Sequence, residues 1–205
     1  SGQGQARAQA DAPWTAATLS QRLYPGADMR TLALSSAALL LADRTQIRMA
    51  AQARIRLCDA RPGQTRLELG LGRIWTRTKG QAAGLQLQTP AAVAAVRGTD
   101  WDVEVDAQGH TTLTVLSGLI AVSNAQGSVE VGPSEQASVA PGQAPVKHRL
   151  VNPRERVQWV MAPALVPALW PELDAAAPPW RARAGEALSA GQLQALQQQV
   201  DARLA

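Results

Sequence analysis

Apolar and polar residues alternate along most of the chain between residues 27 and 145. In residues 53–58, for instance, Ile55 and Leu57 fall on one side of an extended chain, and two arginines fall on the other. A period of two predicts strands that bury one face. Turn residues interrupt the alternation about every 8–10 residues, which predicts about a dozen strands and no helix in this region. The predicted strands are 29–34, 39–42, 46–50, 53–58, 65–71, 73–79, 85–88, 91–96, 99–106, 111–116, 119–123, 128–131 and 136–140.

These strands predict a mainly β fold. Many short antiparallel or solenoid-like strands would form a β-sandwich or a short β-helix, and the alternation does not separate the two. The β-domain is predicted over 14–150. Residues 1–13 are rich in Ala, Gln and Gly, and we expect a disordered N-terminal tail there.

The pattern changes after Asn152, and a short α-helical extension is predicted over 151–205. Pro153 stands where the start of a helix tolerates proline. Ser189 and Gln192 resemble a capping box ahead of an apolar stripe, which predicts a final amphipathic helix. A helix with one apolar face packs on a neighbour, so we expect the natural chain to continue beyond Ala205.

The centre of the alternating region is residues 89–105, TPAAVAAVRGTDWDVEV. Its last part, with the residue that follows, alternates four carboxylates with three apolar side chains: Asp100, Trp101, Asp102, Val103, Glu104, Val105 and Asp106. A strand would place the carboxylates on one face about 6.5–7 Å apart. We interpret this face as solvated and paired across strands with arginines such as Arg73 and Arg77. A cation site or an acidic docking strip is the alternative, although calcium prefers oxygens that converge from a loop.

The other candidates near this motif are an arginine and the tryptophans. Arg97 precedes a turn glycine and is expected to bridge to a neighbouring carboxylate. Trp75 and Trp101 lie in strands and are expected to pack in the core or at an edge rather than stack on sugars. Trp159, Trp170 and Trp180 are interpreted as anchors of the C-terminal segment. The candidate partner-binding residues are Arg97, Asp100, Trp101, Asp102, Glu104 and Trp75.

Composition and charge narrow the classes of partner. Hydrophobic residues make up 46% of the 205 residues, with six Trp, one Tyr and no Phe, so the core is expected to consist of small aliphatic layers. The net charge is +4, which permits an anionic partner. The arginines are interspersed with carboxylates and form no basic run, so nucleic acid is not expected.

Catalysis is not expected from this sequence. Its two histidines lack metal-ligand spacing, no glycine stands two residues before Ser117 to form a nucleophile elbow, and Gly70 and Gly72 do not begin a phosphate loop. Cys58 is interpreted as a half-buried apolar residue. We therefore expect no enzyme activity, no metal and no cofactor.

The segment expected to precede the β-domain is polar and lacks an apolar signal core. We interpret it as a mature N-terminus from which a signal has been removed, which predicts an exported protein. No apolar run approaches the roughly 18 residues of a transmembrane helix, so no transmembrane segment is predicted in this chain.

Four segments carry a resemblance to a known family: GRIWTRTKG (72–80), TPAAVAAVRGTDWDVEVD (89–106), TVLSGLIAVSN (114–124) and GPSEQASVAPG (132–142). Residues 67–141 resemble a FecR domain, the periplasmic β-domain named after the iron-citrate anti-sigma regulator, and residues 26–66 match its upstream half more loosely. The chain is more similar to FecR-domain proteins in which this domain precedes tetratricopeptide-like helical repeats than to the complete regulator, which carries an anti-sigma domain and a transmembrane helix.

The resemblance implies partner binding in the bacterial cell envelope rather than catalysis. The first hypothesis is therefore a module that docks to an envelope protein, such as an outer-membrane receptor or a transport component, through a strand face or edge. The alternative is a module that binds peptidoglycan or another polysaccharide, because arginines attract anionic polymers and tryptophans stack on sugars.

Overall fold

The structure is a computed structural model that describes residues 3–41, 44–61, 63–78 and 84–160. Thirteen strands and one 3₁₀ helix, Pro153–Val157, lie in these residues. The strands are β1 (Gly4–Arg7), β2 (Thr15–Ala16), β3 (Asp28–Thr31), β4 (Ala37–Leu40), β5 (Gln46–Met49), β6 (Arg54–Arg61), β7 (Gln64–Arg77), β8 (Leu85–Gln88), β9 (Val93–Val105), β10 (Thr111–Asn124), β11 (Gly127–Val131), β12 (Glu135–Val139) and β13 (Val146–Arg149). No helix in this part of the chain is long and apolar enough to span a bilayer.

The strands form one continuous sheet in the order β13-β12-β10-β9-β8-β7-β6-β3-β1-β2, with β11 beside β10 and the β4–β5 hairpin beside β7. Every pairing in the described part of the chain is antiparallel except that of β7 with β8. The predicted mainly β fold is confirmed. The antiparallel pairing favours the sandwich over the β-helix, which stacks parallel strands.

Three long strands pass through both layers of the fold. Gly72 in β7, Gly98 in β9 and Gly118 in β10 have positive φ angles of 90°, 55° and 84°. Such angles are open to glycine at little cost, so each strand can bend without ending. The first parts of β7 and β9 pair with β8, whereas the later part of β7 pairs with β5 and β9.

The bends explain a difference from the sequence prediction. Residues 65–71 and 73–79 were expected as two strands, as were 91–96 and 99–106, and 111–116 and 119–123. Each pair is one bent strand, because a glycine with positive φ keeps both flanking segments in the sheet. Layer one contains β1–β3, β6, β8, β11, the first parts of β7 and β9 and the last part of β10. Layer two contains β4, β5, β12, β13 and the remaining parts of the long strands.

The core lies between the two layers. Cross-strand neighbours such as Ile74 and Val103, or Leu67 and Leu87, point inward from the same register positions. The largest fully buried side chains come from both layers: Trp101, Ile47, Met49, Leu69, Ile74, Leu87, Leu113 and Ile120. Burial of these apolar side chains is the main favourable contribution to the fold.

At the N-terminal end of the described chain the structure departs from the sequence prediction, and at the C-terminal end it agrees in part. Gly4–Arg7, placed by the sequence in a disordered tail, forms β1 between β2 and β3. This segment is ordered because it pairs with the free side of β3 and buries Ala6, which is 1% exposed. Pro153 does begin a helical turn, of the 3₁₀ type. The helix predicted from Ser189 and the anchors Trp170 and Trp180 lie outside the described residues.

Candidate functional site

The outer surface of layer two carries most of the predicted site residues. β7 and β9 pair so that Arg73 lies opposite Glu104, Trp75 opposite Asp102 and Arg77 opposite Asp100. We call these six residues the acidic face. They alternate with inward-facing residues that are apolar except for Thr76, as the period of two requires.

Asp102 lies at the centre of the acidic face and is completely buried. Arg73 donates to both of its carboxylate oxygens at 2.8 and 3.0 Å, and Nε1 of Trp159 donates to one of them at 3.2 Å. Burial raises the pKa of Asp102 above its ordinary value, and the hydrogen bonds from Arg73 and Trp159 offset only part of this effect.

A second pair of contacts fixes the tryptophan of this face. Nε1 of Trp75 donates to Asp100 at 2.5 Å, and Arg77 donates to the other oxygen of the same carboxylate at 2.6 Å. The Arg77 guanidinium also lies 4.8 Å from the centre of the Trp75 ring, which adds a cation–π contact. Trp75 is only 5% exposed, so little of its ring is open to a ligand.

Residues 153–160 lie across the acidic face. Arg156 donates to Glu104 at 3.0 Å, and the Arg73 guanidinium donates to the backbone carbonyl of Arg156. Arg48 of β5 donates to the carbonyl of Val160 at 3.3 Å. These contacts explain why Asp102 lies under protein rather than in water.

The structure therefore changes the interpretation of the acidic face. The predicted cross-strand pairs of carboxylates with Arg73 and Arg77 are present, but the predicted solvated face is not solvated at Asp102. The alternation cannot show that a distant segment covers this position. No group of three metal-ligating side chains occurs among the described residues, and the carboxylates of this face are held by arginine and tryptophan donors.

One predicted partner-binding residue lies apart from this cluster, and the position of another is known for its backbone alone. Trp101 faces the core and is 1% exposed, so a partner cannot contact it on the folded domain. The backbone of Arg97 pairs with Leu119 in β10, and its side chain lies outside the description. Trp75, Asp100, Asp102 and Glu104 are the four predicted residues that the structure brings together.

A second charged cluster lies on the outer surface of layer one, which the sequence did not single out. We call it the arginine face; its members are Arg7, Trp14, Asp28, Arg30, Arg54, Arg56 and Glu68. Asp28 is fully buried and accepts hydrogen bonds from Arg7 at 2.7 Å and Arg56 at 3.0 Å. The alternating arginines of β6 were visible in the sequence, but Arg7, Trp14 and Asp28 come from segments predicted to be a tail or the turns after it.

Four strands lie at open edges of the sheet among the described residues: β2, β4, β11 and β13. β4 pairs with β5 through residues 37–40, and its other side has no strand beside it in this part of the chain. Leu41 donates its N–H to Thr45 across the hairpin, so the N–H groups of Ala38 and Leu40 point away from β5. Leu40 and the nearby Leu34 are 71% and 98% exposed.

Most of the described sheet lies in a segment that matches a known protein family. Residues 27–121 match the model of the FecR family, described as FecR protein. This segment belongs to the FecR family. The matched segment includes the bends of β7 and β9 and the whole acidic face, but not residues 153–160, which cover that face.

Solved structures share this fold. Two crystal structures of a protein assigned as an anti-sigma factor from Parabacteroides distasonis superpose with a TM-score of 0.54 at 16% sequence identity. The superposition covers 60% of this chain and 59% of that one, so the likeness spans less than two thirds of the solved protein. No curated protein matches the sequence significantly.

Proposed function

We propose that this chain is a non-catalytic interaction module of the bacterial cell envelope, and that its FecR domain docks to a protein partner in signalling, transport or envelope assembly. The match of residues 27–121 to the FecR family carries this proposal. A periplasmic location and a continuation into helical repeats belong to the same proposal.

The docking surface we infer is the open edge of β4. An exposed strand edge presents unpaired backbone donors and acceptors, to which an extended segment of a partner can add as a further strand. The outward groups of Ala38 and Leu40 supply these hydrogen bonds. Leu40 and Leu34 supply apolar surface, so the partner segment is expected to be extended and to carry apolar side chains on alternate positions.

The acidic face is the weaker docking candidate. Asp102 is covered and Asp100 is held by Trp75 and Arg77. Of the three carboxylates only Glu104 is substantially exposed, at 45% of its side chain. A paired carboxylate offers a partner little net charge.

The burial of two tryptophans weakens the alternative that this chain binds a glycan. It would require tryptophans open to a sugar, and Trp75 and Trp101 are both buried. Stacking on a sugar requires an open ring face. Sedimentation with purified sacculi remains a direct measurement of this alternative.

The test uses the full chain as bait in crosslinked envelope extract. Ala38→Pro removes one outward N–H while leaving the hydrogen bonds of the β4–β5 hairpin intact, and Leu40→Lys adds a charge at the same edge. Leu19→Lys is the matched control, because Leu19 is fully exposed outside the strands. We expect one stoichiometric envelope protein whose capture is lost in the two edge variants and kept in the control.

Purified partner and bait then give the affinity of each variant. Capture that persists in both edge variants would remove β4 as the docking surface. Sedimentation with sacculi, without any protein partner, would replace protein docking by glycan attachment.

A further inference from the structure

A groove of about 330 Å³ lies on the arginine face, between β3, β6 and β7. It is lined by Asp28, Arg30, Arg54, Arg56, Glu68 and the backbone around Gly70, among others. Small-molecule sites usually range from about 300 to 1,000 Å³, so this groove has the size of a small ligand or a headgroup.

Two arginines lie side by side in the lining of this groove. Arg30 of β3 lies directly opposite Arg54 of β6 in the antiparallel register. Like charges at directly opposite positions repel each other and destabilise the pair of strands. An anion between them would remove this repulsion.

The nearby carboxylates do not neutralise both arginines. Arg30 donates to the neutral amide oxygen of Gln5 at 2.8 and 2.6 Å, and it forms no ion pair with a carboxylate of the described residues. Arg54 reaches Asp28 through one nitrogen at 3.3 Å, and its side chain is 44% exposed. Both guanidinium groups therefore keep donors for a further acceptor.

The net charge of the arginine face also favours binding of an anion. Four arginines of the arginine face accompany the carboxylates of Asp28 and Glu68, which leaves an excess of two positive charges. Asp28 is already saturated by Arg7 and Arg56. The excess therefore lies on the groove side, towards Arg30 and Arg54.

Trp14 holds the arginines in place. The guanidinium carbons of Arg7, Arg30 and Arg54 lie 4.6, 4.2 and 5.7 Å from the centre of its ring. Stacking on an aromatic ring reduces the freedom of a guanidinium without consuming its hydrogen-bond donors. The site is thus partly organised before a ligand binds.

We propose that this groove binds a phosphate monoester group through Arg30 and Arg54. A phosphate monoester carries close to two negative charges at neutral pH, which matches the excess of the cluster, and the forked guanidinium groups suit its oxygens. The group belongs to a free small phosphate ester or to a lipid headgroup. This site is separate from the β4 edge and does not depend on docking there.

The experiment measures binding to the full chain by two routes. Calorimetry with inorganic phosphate at constant ionic strength tests the free source. Flotation with phosphatidylcholine vesicles, with and without phosphatidic acid, tests the lipid source. Arg30→Gln and Arg54→Gln are each expected to weaken binding about tenfold, because each loses charge-assisted hydrogen bonds. Arg30→Lys keeps the charge but loses the fork, and is expected to weaken binding less.

Arg66→Gln is the matched control, because Arg66 is an exposed arginine of β7 outside the groove lining. Saturable phosphate binding that falls in the groove variants supports a free ester. Binding to phosphatidic acid vesicles alone, with the same variant pattern, supports a headgroup. Absence of binding by both routes overturns the proposal, as does an effect of Arg66→Gln equal to that of Arg30→Gln.

Discussion

Asp28→Asn is the perturbation that tests the arginine face most directly. The Asp28 carboxylate is fully buried and contacts three guanidinium groups, those of Arg7, Arg54 and Arg56, at 2.6–3.3 Å. Asparagine has nearly the same shape but no charge, and one of its two terminal groups is a donor. The variant therefore removes the charge at the centre of the cluster and leaves three arginines facing each other.

The expected loss of stability follows from these contacts. Removing one partner of a buried ion pair costs about 3–5 kcal/mol. The arginine side chains here retain between 14% and 44% exposure, and water screens them in proportion. We therefore expect a decrease of about 2–3 kcal/mol in the free energy of unfolding. For a chain of this length this corresponds to a melting temperature lower by about 4–12 °C.

The effect should depend on pH with a definite sign. Burial by itself raises the pKa of Asp28, but the hydrogen bonds from Arg56 and Arg7 outweigh it and hold the pKa below its ordinary value. The stabilisation is therefore complete above the ordinary carboxyl pKa of about 3.9, and it is lost as the pH falls through the lower pKa of the folded state. The difference between Asp28→Asn and the parent should shrink over the same range.

Urea denaturation followed by circular dichroism, at neutral and acidic pH, measures both quantities. Asp59→Asn is the control, because Asp59 pairs with the exposed Arg61 in the same layer and its loss should barely shift the midpoint. An Asp28→Asn midpoint equal to that of the control would refute the view that Asp28 organises the cluster. A difference that grows at acidic pH would refute the assigned direction of the pKa.

Three further variants test the bend in β7 and the cover over the acidic face. Gly72→Ala should lower the free energy of unfolding by about 2 kcal/mol or more, since φ is positive and the new Cβ would lie 2.7 Å from that of Ala53; an unchanged denaturation midpoint would contradict this. Trp159→Ala should speed limited proteolysis near residues 150–160, because its contacts with Asp102 and Arg73 are lost; unchanged cleavage would count against the cover. Because the pKa of Asp102 is raised, the parent should lose stability as the pH rises from the ordinary carboxyl pKa through the raised one. Asp102→Asn should abolish this loss. Identical profiles of stability against pH for the two proteins would exclude a contribution from Asp102.

Much of the fold is predictable from the sequence because alternation records burial directly. Ile55 and Leu57, or Val103 and Val105, face the core as the period of two requires. The bends were harder to predict. A glycine such as Gly98 indicates a turn as readily as a bend, and only its backbone φ and the pairing on both sides distinguish the two.

The candidate site was predicted less completely than the fold, because alternation does not reveal whether an outward-facing charged side chain is covered. Alternation assigns Asp102 and Asp28 to outer surfaces, and both do point outward from their layers. Alternation does not say what covers an outer surface. Residues 153–160 cover Asp102, and β1 together with Trp14 covers Asp28, and both segments are distant in sequence from the carboxylates that they bury.

On both outer surfaces, a segment distant in sequence covers a cluster of charged side chains, but the net charge of the two clusters differs. On the acidic face, the covering segment brings Arg156 to carboxylates already paired with Arg73, so the charges compensate. On the arginine face, β1 brings a further arginine, Arg7, to a cluster already rich in them. Of these two clusters, the arginine face, which includes Arg30, is therefore the one with a surplus of positive charge. An anionic ligand of this domain is expected there and not at the carboxylates that the sequence motif made conspicuous.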